Sequence, residues 1–179
     1  MKRSMHRLLS FLVVIVLFFS CAPKKLTQGD IAREKKAIES VAVNYCKLVA
    51  AKNTDAVLSL FTNSPEFMLL GTDAAEVFKS KAQLKSHLEV DWQLLDVTKV
   101  GDLQNVSILI SKDDELASML YEVPWDMNIA GQTMSALVRF AMTMVKENNE
   151  WRIIQLLGQM ATVGQSSEDM LEQMKKVKK

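Results

Sequence analysis

Leu116-Ala117-Ser118-Met119-Leu120-Tyr121-Glu122-Val123-Pro124-Trp125-Asp126-Met127-Asn128 is the stretch that decides the fold. Ala117, Met119, Tyr121, Val123, Trp125 and Met127 take every second position, with Leu116, Ser118, Leu120, Glu122, Pro124 and Asp126 between them. A period of two puts the two sets on opposite faces of a strand, and the first set is the one expected to be buried. The same period runs outward on both sides. Residues 94–100 and 106–110 precede the stretch, and residues 134–146 and 151–160 follow it, all predicted as strands. Gly101, Lys112-Asp113-Asp114, Ala130-Gly131 and Glu147-Asn148-Asn149-Glu150 separate them as turns. Neighbouring strands joined by short polar turns predict an antiparallel meander.

Upstream of residue 94 the period changes to that of helices. Asp30 is predicted to cap a first helix whose apolar face carries Ile38, Val41, Ala42, Tyr45, Leu48 and Val49, with Arg33, Glu34, Lys36, Glu39 and Lys47 mostly elsewhere. Asn53 suits the stop, Thr54-Asp55 opens a shorter helix through Val57, Leu58 and Phe61, and Pro65 ends it. Residues 67–70 read as a short strand. Ser80, with Gln83 three places on, opens a third helix with Ala82, Leu84, Leu88 and Trp92 as its inner surface. The tail 162–179 reads as an amphipathic helix from about Ser166, with Met170, Leu171, Met174 and Val177 on one face and Lys175, Lys176, Lys178 and Lys179 at its end. Helices followed by a meander specify an α+β domain over 30–161.

The N-terminus is of a different kind. Lys2, Arg3 and Arg7 precede an apolar run at 8–19 that is too short to span the roughly 30 Å of bilayer hydrocarbon. Small Ser20 and Cys21 follow, so residues 1–20 read as a secretory signal. Leu17-Phe18-Phe19-Ser20-Cys21 resembles the bacterial lipobox, although leucine usually stands where Phe18 does. The resemblance implies lipidation of Cys21, a tether over 21–29, and a place in the cell envelope on the periplasmic side of the outer membrane. Loss of the three leading charges leaves 19 basic against 21 acidic residues, a balance that argues against a nucleic-acid partner. Cys46 is the only other cysteine, so no disulfide is expected.

The order helix, helix, strand, helix, four-strand meander resembles the SnoaL-like branch of the nuclear transport factor 2-like superfamily. Phe67-Met68-Leu69-Leu70-Gly71-Thr72-Asp73 is similar to that family's strand-to-loop segment, and Glu76-Val77-Phe78-Lys79-Ser80-Lys81 to its next turn. There the family often has Trp for Phe78 and Gly for Ser80. Arg139 and Trp151-Arg152-Ile153-Ile154-Gln155 resemble its last hairpin, so the likeness covers about residues 31–161. It implies a cone-shaped curved antiparallel sheet wrapped around the N-terminal helices, with a pocket at the wide end. It further implies that the Arg139 side of its strand lines that pocket, with Tyr121, Trp125, Gln155 and Gln159 as walls. The opposite side, with Met134, Phe140, Met142 and Met144, would pair two subunits as a homodimer. The alternative is that this Met/Phe side is core and Arg139 is solvated.

Members with a pocket often carry His, His and Ser where this chain has Gln155, Leu157 and Gln159, which removes groups able to exchange a proton near neutral pH. Steroid-isomerase-like members use a buried acid with a tyrosine donor. Tyr45 and Tyr121 would serve as donors, but the faces assigned as inner hold no Asp or Glu. Asp73, Glu76 and His87 read as helix-start, rim or surface groups. No metal-ligand or phosphate-binding motif occurs and no cofactor is expected. The reading is a lipid-anchored binding module for a small apolar or carboxylate ligand, with Arg139 as charge partner. The alternatives are a cyclase- or isomerase-type enzyme using a pocket acid, and an envelope interaction protein without a ligand.

Overall fold

The computed structural model describes residues 26–177. The expected signal at 1–20, Cys21 and the last two lysines lie outside the described residues. The predicted tether, 21–29, overruns the structure: α1 (Gln28–Ala50) begins inside it. Thr27, rather than Asp30, is its cap. The Thr27 hydroxyl accepts from the Asp30 N–H, and the Asp30 carboxylate accepts in return from the Thr27 N–H, both at 3.1 Å. Its buried line is Glu34, Ile38, Ala42, Cys46 and Val49, three or four residues apart. Asn53 caps α2 (Thr54–Ser59) and Ser80 caps α3 (Lys81–Leu94), where Gln83 reaches back to the Lys79 N–H. Ala82, predicted to face inward on α3, is exposed.

The strands are β1 (Met68–Leu70), β2 (Val77–Phe78), β3 (Leu95–Val100), β4 (Gln104–Ile110), β5 (Leu116–Ile129), β6 (Gln132–Glu147) and β7 (Glu150–Met160). They form one curved, unclosed sheet in the order β2-β1-β7-β6-β5-β3, with β4 also on β5. The fold is the expected α+β. Two details differ from a plain meander. β3 and β4 do not pair with each other; each takes one half of the long β5. Pro124, which has no N–H to give, sits where one hands over to the other, and its carbonyl accepts from the Gly101 N–H at 2.8 Å. The second difference is that β1 runs parallel to β7.

One layer of helix covers one face of this sheet, and the core lies between them. Ile38, Ala42, Cys46 and Val49 of α1 belong to the same buried cluster as Met119, Tyr121, Val123 and Met127 of β5. Phe140 stands at its centre, against Tyr45, Tyr121 and Trp125 with ring centroids 5.1–5.8 Å away. The start of α1 is fastened by charge: Lys146 Nζ lies 2.7 Å from Glu34 and also pairs with Asp114, while the Trp151 indole N–H donates to Glu34 at 3.0 Å. The sequence pattern left Glu34 off the buried face; this network brings it in.

α4 (Ser167–Val177) is capped by the Ser166 hydroxyl and leaves Met170, Leu171 and Met174 more than half exposed. No helix among the described residues is long and apolar enough to cross a membrane.

Candidate functional site

The β5–β6 hairpin decides which side chains can meet. Its turn is the two-residue Ala130-Gly131, both at positive φ (50° and 86°), which fixes the register at Ile129↔Gln132. Each step back along β5 matches a step forward along β6, so Tyr121 stands opposite Phe140 and Glu122 opposite Arg139. Cross-strand partners share a face. Arg139 therefore lies on the outer face, away from Tyr121, 57% exposed, with its Nε 2.7 Å from Glu122. This overturns its expected place in the pocket. It also overturns the paired-subunit reading of the Met/Phe side: Phe140, Met142 and Met144 are core against the helices, and of the four only Met134, near the start of β6, is exposed.

Gln155 and Gln159 follow Arg139 outward, for a separate reason. β6 and β7 slip by one residue between Thr143↔Gln155 and Met144↔Ile153, leaving Ile154 as an extra residue on β7. Trp151, Ile153 and Ile154 face the core before and at the bulge, Leu156 faces it after, and Gln155, Leu157 and Gln159 are turned out. Arg139 and Gln159 do meet, as cross-strand partners beside a shallow outer groove with Glu122 and Asn105. Tyr121 is deep in the core, its hydroxyl 3.9 Å from both Cys46 Sγ and Met142 Sδ. Of the five predicted site residues only Trp125 lines the inner cavity.

That cavity, about 280 Å³, lies between the helices and the inner face of the sheet. Val49, Leu84, Leu88, Met127, Val138 and Leu156 give it apolar walls; Tyr45, Trp92, Trp125 and Phe140 give it aromatic ones. Its charged groups form one cluster of Glu76 and His87, expected at the rim or surface, together with Asp91. His87 Nε2 is 3.1 Å from Asp91 Oδ2, one helical turn on, and 3.9 Å from Glu76 Oε1. Phe78 stacks on the His87 ring at 4.4 Å, leaving the side chain only 23% exposed. Glu76 is itself held by its other oxygen, which accepts from the Thr72 and Asp73 N–H groups at 2.7 and 3.1 Å. A β-carbon on Gly71 would collide with that side chain. The spacing of His87 and Asp91 on α3 was the available signal, since residues four apart share a helix face.

A SnoaL-like domain model matches residues 38–161. The chain belongs to the SnoaL-like domain family. Solved structures agree on the fold at low identity. A ketosteroid isomerase-like protein from Erwinia carotovora atroseptica superposes with TM-score 0.60 at 13% identity, over 71% of this chain and 95% of that one. A candidate scytalone dehydratase from Novosphingobium aromaticivorans gives 0.64 at 13%, over 76% and 89%. A cystatin-like-fold protein of unknown function from Nostoc punctiforme gives 0.57 at 14%, over 78% and 97%. No curated protein matches the sequence.

Two features of this SnoaL-like domain's cavity are out of balance. Trp92 donates its indole N–H to Thr54 Oγ1 at 2.7 Å, and Trp151 donates to Glu34, but the Trp125 N–H is buried without a partner. Buried tryptophan N–H groups normally find an acceptor, and leaving one unmade costs about 1–3 kcal/mol. Burial also pushes the Asp91 carboxyl above its usual range, against the pull of His87 and with the push of Glu76. The Tyr45 hydroxyl is pushed up by burial, with Cys46 and then Asp91 adding to the shift, and so stays a proton donor. Among the described residues no group of three or more His, Cys, Asp or Glu is arranged to hold a metal ion.

Proposed function

We propose that the inner cavity of this SnoaL-like domain binds a small, mainly apolar molecule that presents a hydrogen-bond acceptor to Trp125. The unpartnered indole N–H, on a residue that lines these apolar walls, carries this reading: a ligand acceptor that reached it would remove its desolvation penalty. The binding-module reading thus stands with a different lining. Arg139, Gln155 and Gln159 are on the far side of the sheet. Native mass spectrometry of the full chain, purified gently in detergent, tests it. A defined adduct that weakens in Trp125→Phe supports the cavity; a clean mass in both proteins sinks it and favours an envelope interaction protein without a ligand.

One observation favours a second reading, an isomerase- or dehydratase-type enzyme. Two structural neighbours carry such names, and Asp91 with His87 supplies a carboxyl and an imidazole inside one cavity, the groups that proton transfer needs. Turnover whose acid limb disappears in Asp91→Asn would decide for it.

Export and lipid attachment at Cys21 complete the proposal, supported by the basic start, short apolar run and lipobox-like segment. Cys21→Ser should abolish palmitate labelling and release the protein from the outer membrane. Homodimerisation moves to the outer face, where Leu109 is 71% exposed beside Leu116, Leu120 and Leu157. Leu120→Lys should then leave a monomer in sedimentation.

A further inference from the structure

Among the described residues the cavity's walls contain no lysine or arginine. Its ionisable groups are Glu76, His87, Asp91 and Tyr45. A cation near this end, Lys52, is already used: Nζ donates to the Trp92 carbonyl at 2.6 Å and pairs with Asp96. Arg139 is on the other face of the sheet. Two carboxylates therefore share a single imidazole nitrogen, and one proton on His87 cannot balance both. With Glu76 and Asp91 ionised, the cluster is net negative whether His87 is neutral or charged.

Resting on the binding reading above, we infer that this cavity selects a positively charged ligand: a small apolar amine, its ammonium beside Asp91 and Glu76, with an ether or carbonyl oxygen for the Trp125 N–H. Three independent features converge on that chemistry. The acidic cluster attracts a cation and repels the carboxylate that an arginine-lined pocket would have taken. Tyr45, Trp92, Trp125 and Phe140 provide the aromatic surfaces that ammonium groups favour. The indole N–H of Trp125, a residue of the cavity wall only 7% exposed, is buried and unpaired, and calls for an acceptor that the acids do not supply. Asp91 is consistent with this. Burial holds its carboxyl toward the neutral form, and an adjacent ammonium would return it to the charged one.

Three matched probes test the charge separately from the cavity: 4-methoxyphenethylamine, 2-(4-methoxyphenyl)ethanol and 4-methoxyphenylacetate, titrated calorimetrically into the full chain in detergent at neutral pH. The inference expects the amine to bind about tenfold or more tighter than the alcohol, as a charge-assisted contact should, with the carboxylate weakest. Asp91→Asn should bring the amine down to the alcohol's level and leave the alcohol unchanged. Glu76→Gln should move the amine in the same direction by less. Equal affinity for the three probes, or preference for the carboxylate, overturns the cationic ligand and leaves the cavity reading intact. Failure of every probe overturns both. An amine affinity unmoved by Asp91→Asn, in protein whose circular dichroism is native, overturns the assignment of Asp91.

Discussion

Glu34 and Asp91 are carboxylates at opposite ends of the same helical layer, each near a tryptophan and a nitrogen base, and their surroundings push them in opposite directions. At the start of α1, Glu34 receives the Lys146 ammonium and the Trp151 N–H, and the Lys146 hydrogen bond above all holds its carboxyl below the usual range. At the end of α3, His87 is the one basic partner of Asp91 among the described residues, and burial raises that carboxyl. Trp151 is satisfied; Trp125 is not. One end is wired to hold the fold together. The other carries a cost that the fold does not recover, which is the mark of a site kept for something else.

The widest gap between the two ends should appear on removing Lys146. Lys146→Met takes the ammonium from Asp114 and leaves Glu34 with only the more exposed Arg33, and a loss of about 3 kcal/mol in urea unfolding is expected. The pH dependence follows from the same contacts. A carboxyl held low in the folded state stabilises it above the ordinary Glu value of 4.5, and that contribution disappears as pH falls through the depressed value. For Lys146, burial would lower the ammonium, but its bonds to Asp114 and Glu34 raise it above 10.5, so its share persists at lower pH and is lost on passing upward through the raised value. Acid and alkaline unfolding of wild type, with both limbs flattened in Lys146→Met, would sharpen the contrast. Symmetrical loss at both ends would break it.

The tryptophans give the next test. Trp151→Phe takes a donor from a buried carboxylate and should cost about 1–2 kcal/mol, whereas Trp125→Phe removes an unpaired N–H and should cost less despite the smaller ring. Equal losses by thermal unfolding would mean that the Trp125 N–H was never a liability. The smallest effect is expected at Asp91. Because its carboxyl is raised, the folded state holds the proton more tightly than the unfolded chain, so its charged form weakens the fold as pH rises. Asp91→Asn should gain less than 1 kcal/mol at neutral pH and lose that gain in acid.

Most of the architecture could be read from periodicity, because a strand with one buried face writes its faces into the sequence. The inner row of β5, Ala117 to Met127, is buried as expected. β6 misleads because its two sides differ little in polarity: Leu137, Ala141 and Thr143 flank Arg139 on the outer side. The two-residue turn nevertheless contained the answer, since it pairs Glu122 with Arg139 and so puts the arginine opposite an acid already assigned outward. The β7 bulge left no such trace; Ile153-Ile154 reads equally well in either register. The acidic cluster was missed for a third reason. Asp91 and His87 sit on a helix whose solvent side is just as polar, and Glu76 joins them from a loop that turns back because Gly71 leaves room for its side chain.

Cys46 sits on the buried side of α1 against Tyr121, 1% exposed, with its thiol pushed by burial up to about 11. A thiol that is both hidden and protonated reacts with an alkylating reagent only in the moments when α1 lifts from β5. With Cys21 occupied by lipid, it would be the only sulfhydryl in the molecule. The rate of its labelling is then a built-in clock for the breathing of this layer, and a ligand that closes the cavity would slow it without touching the sulfur.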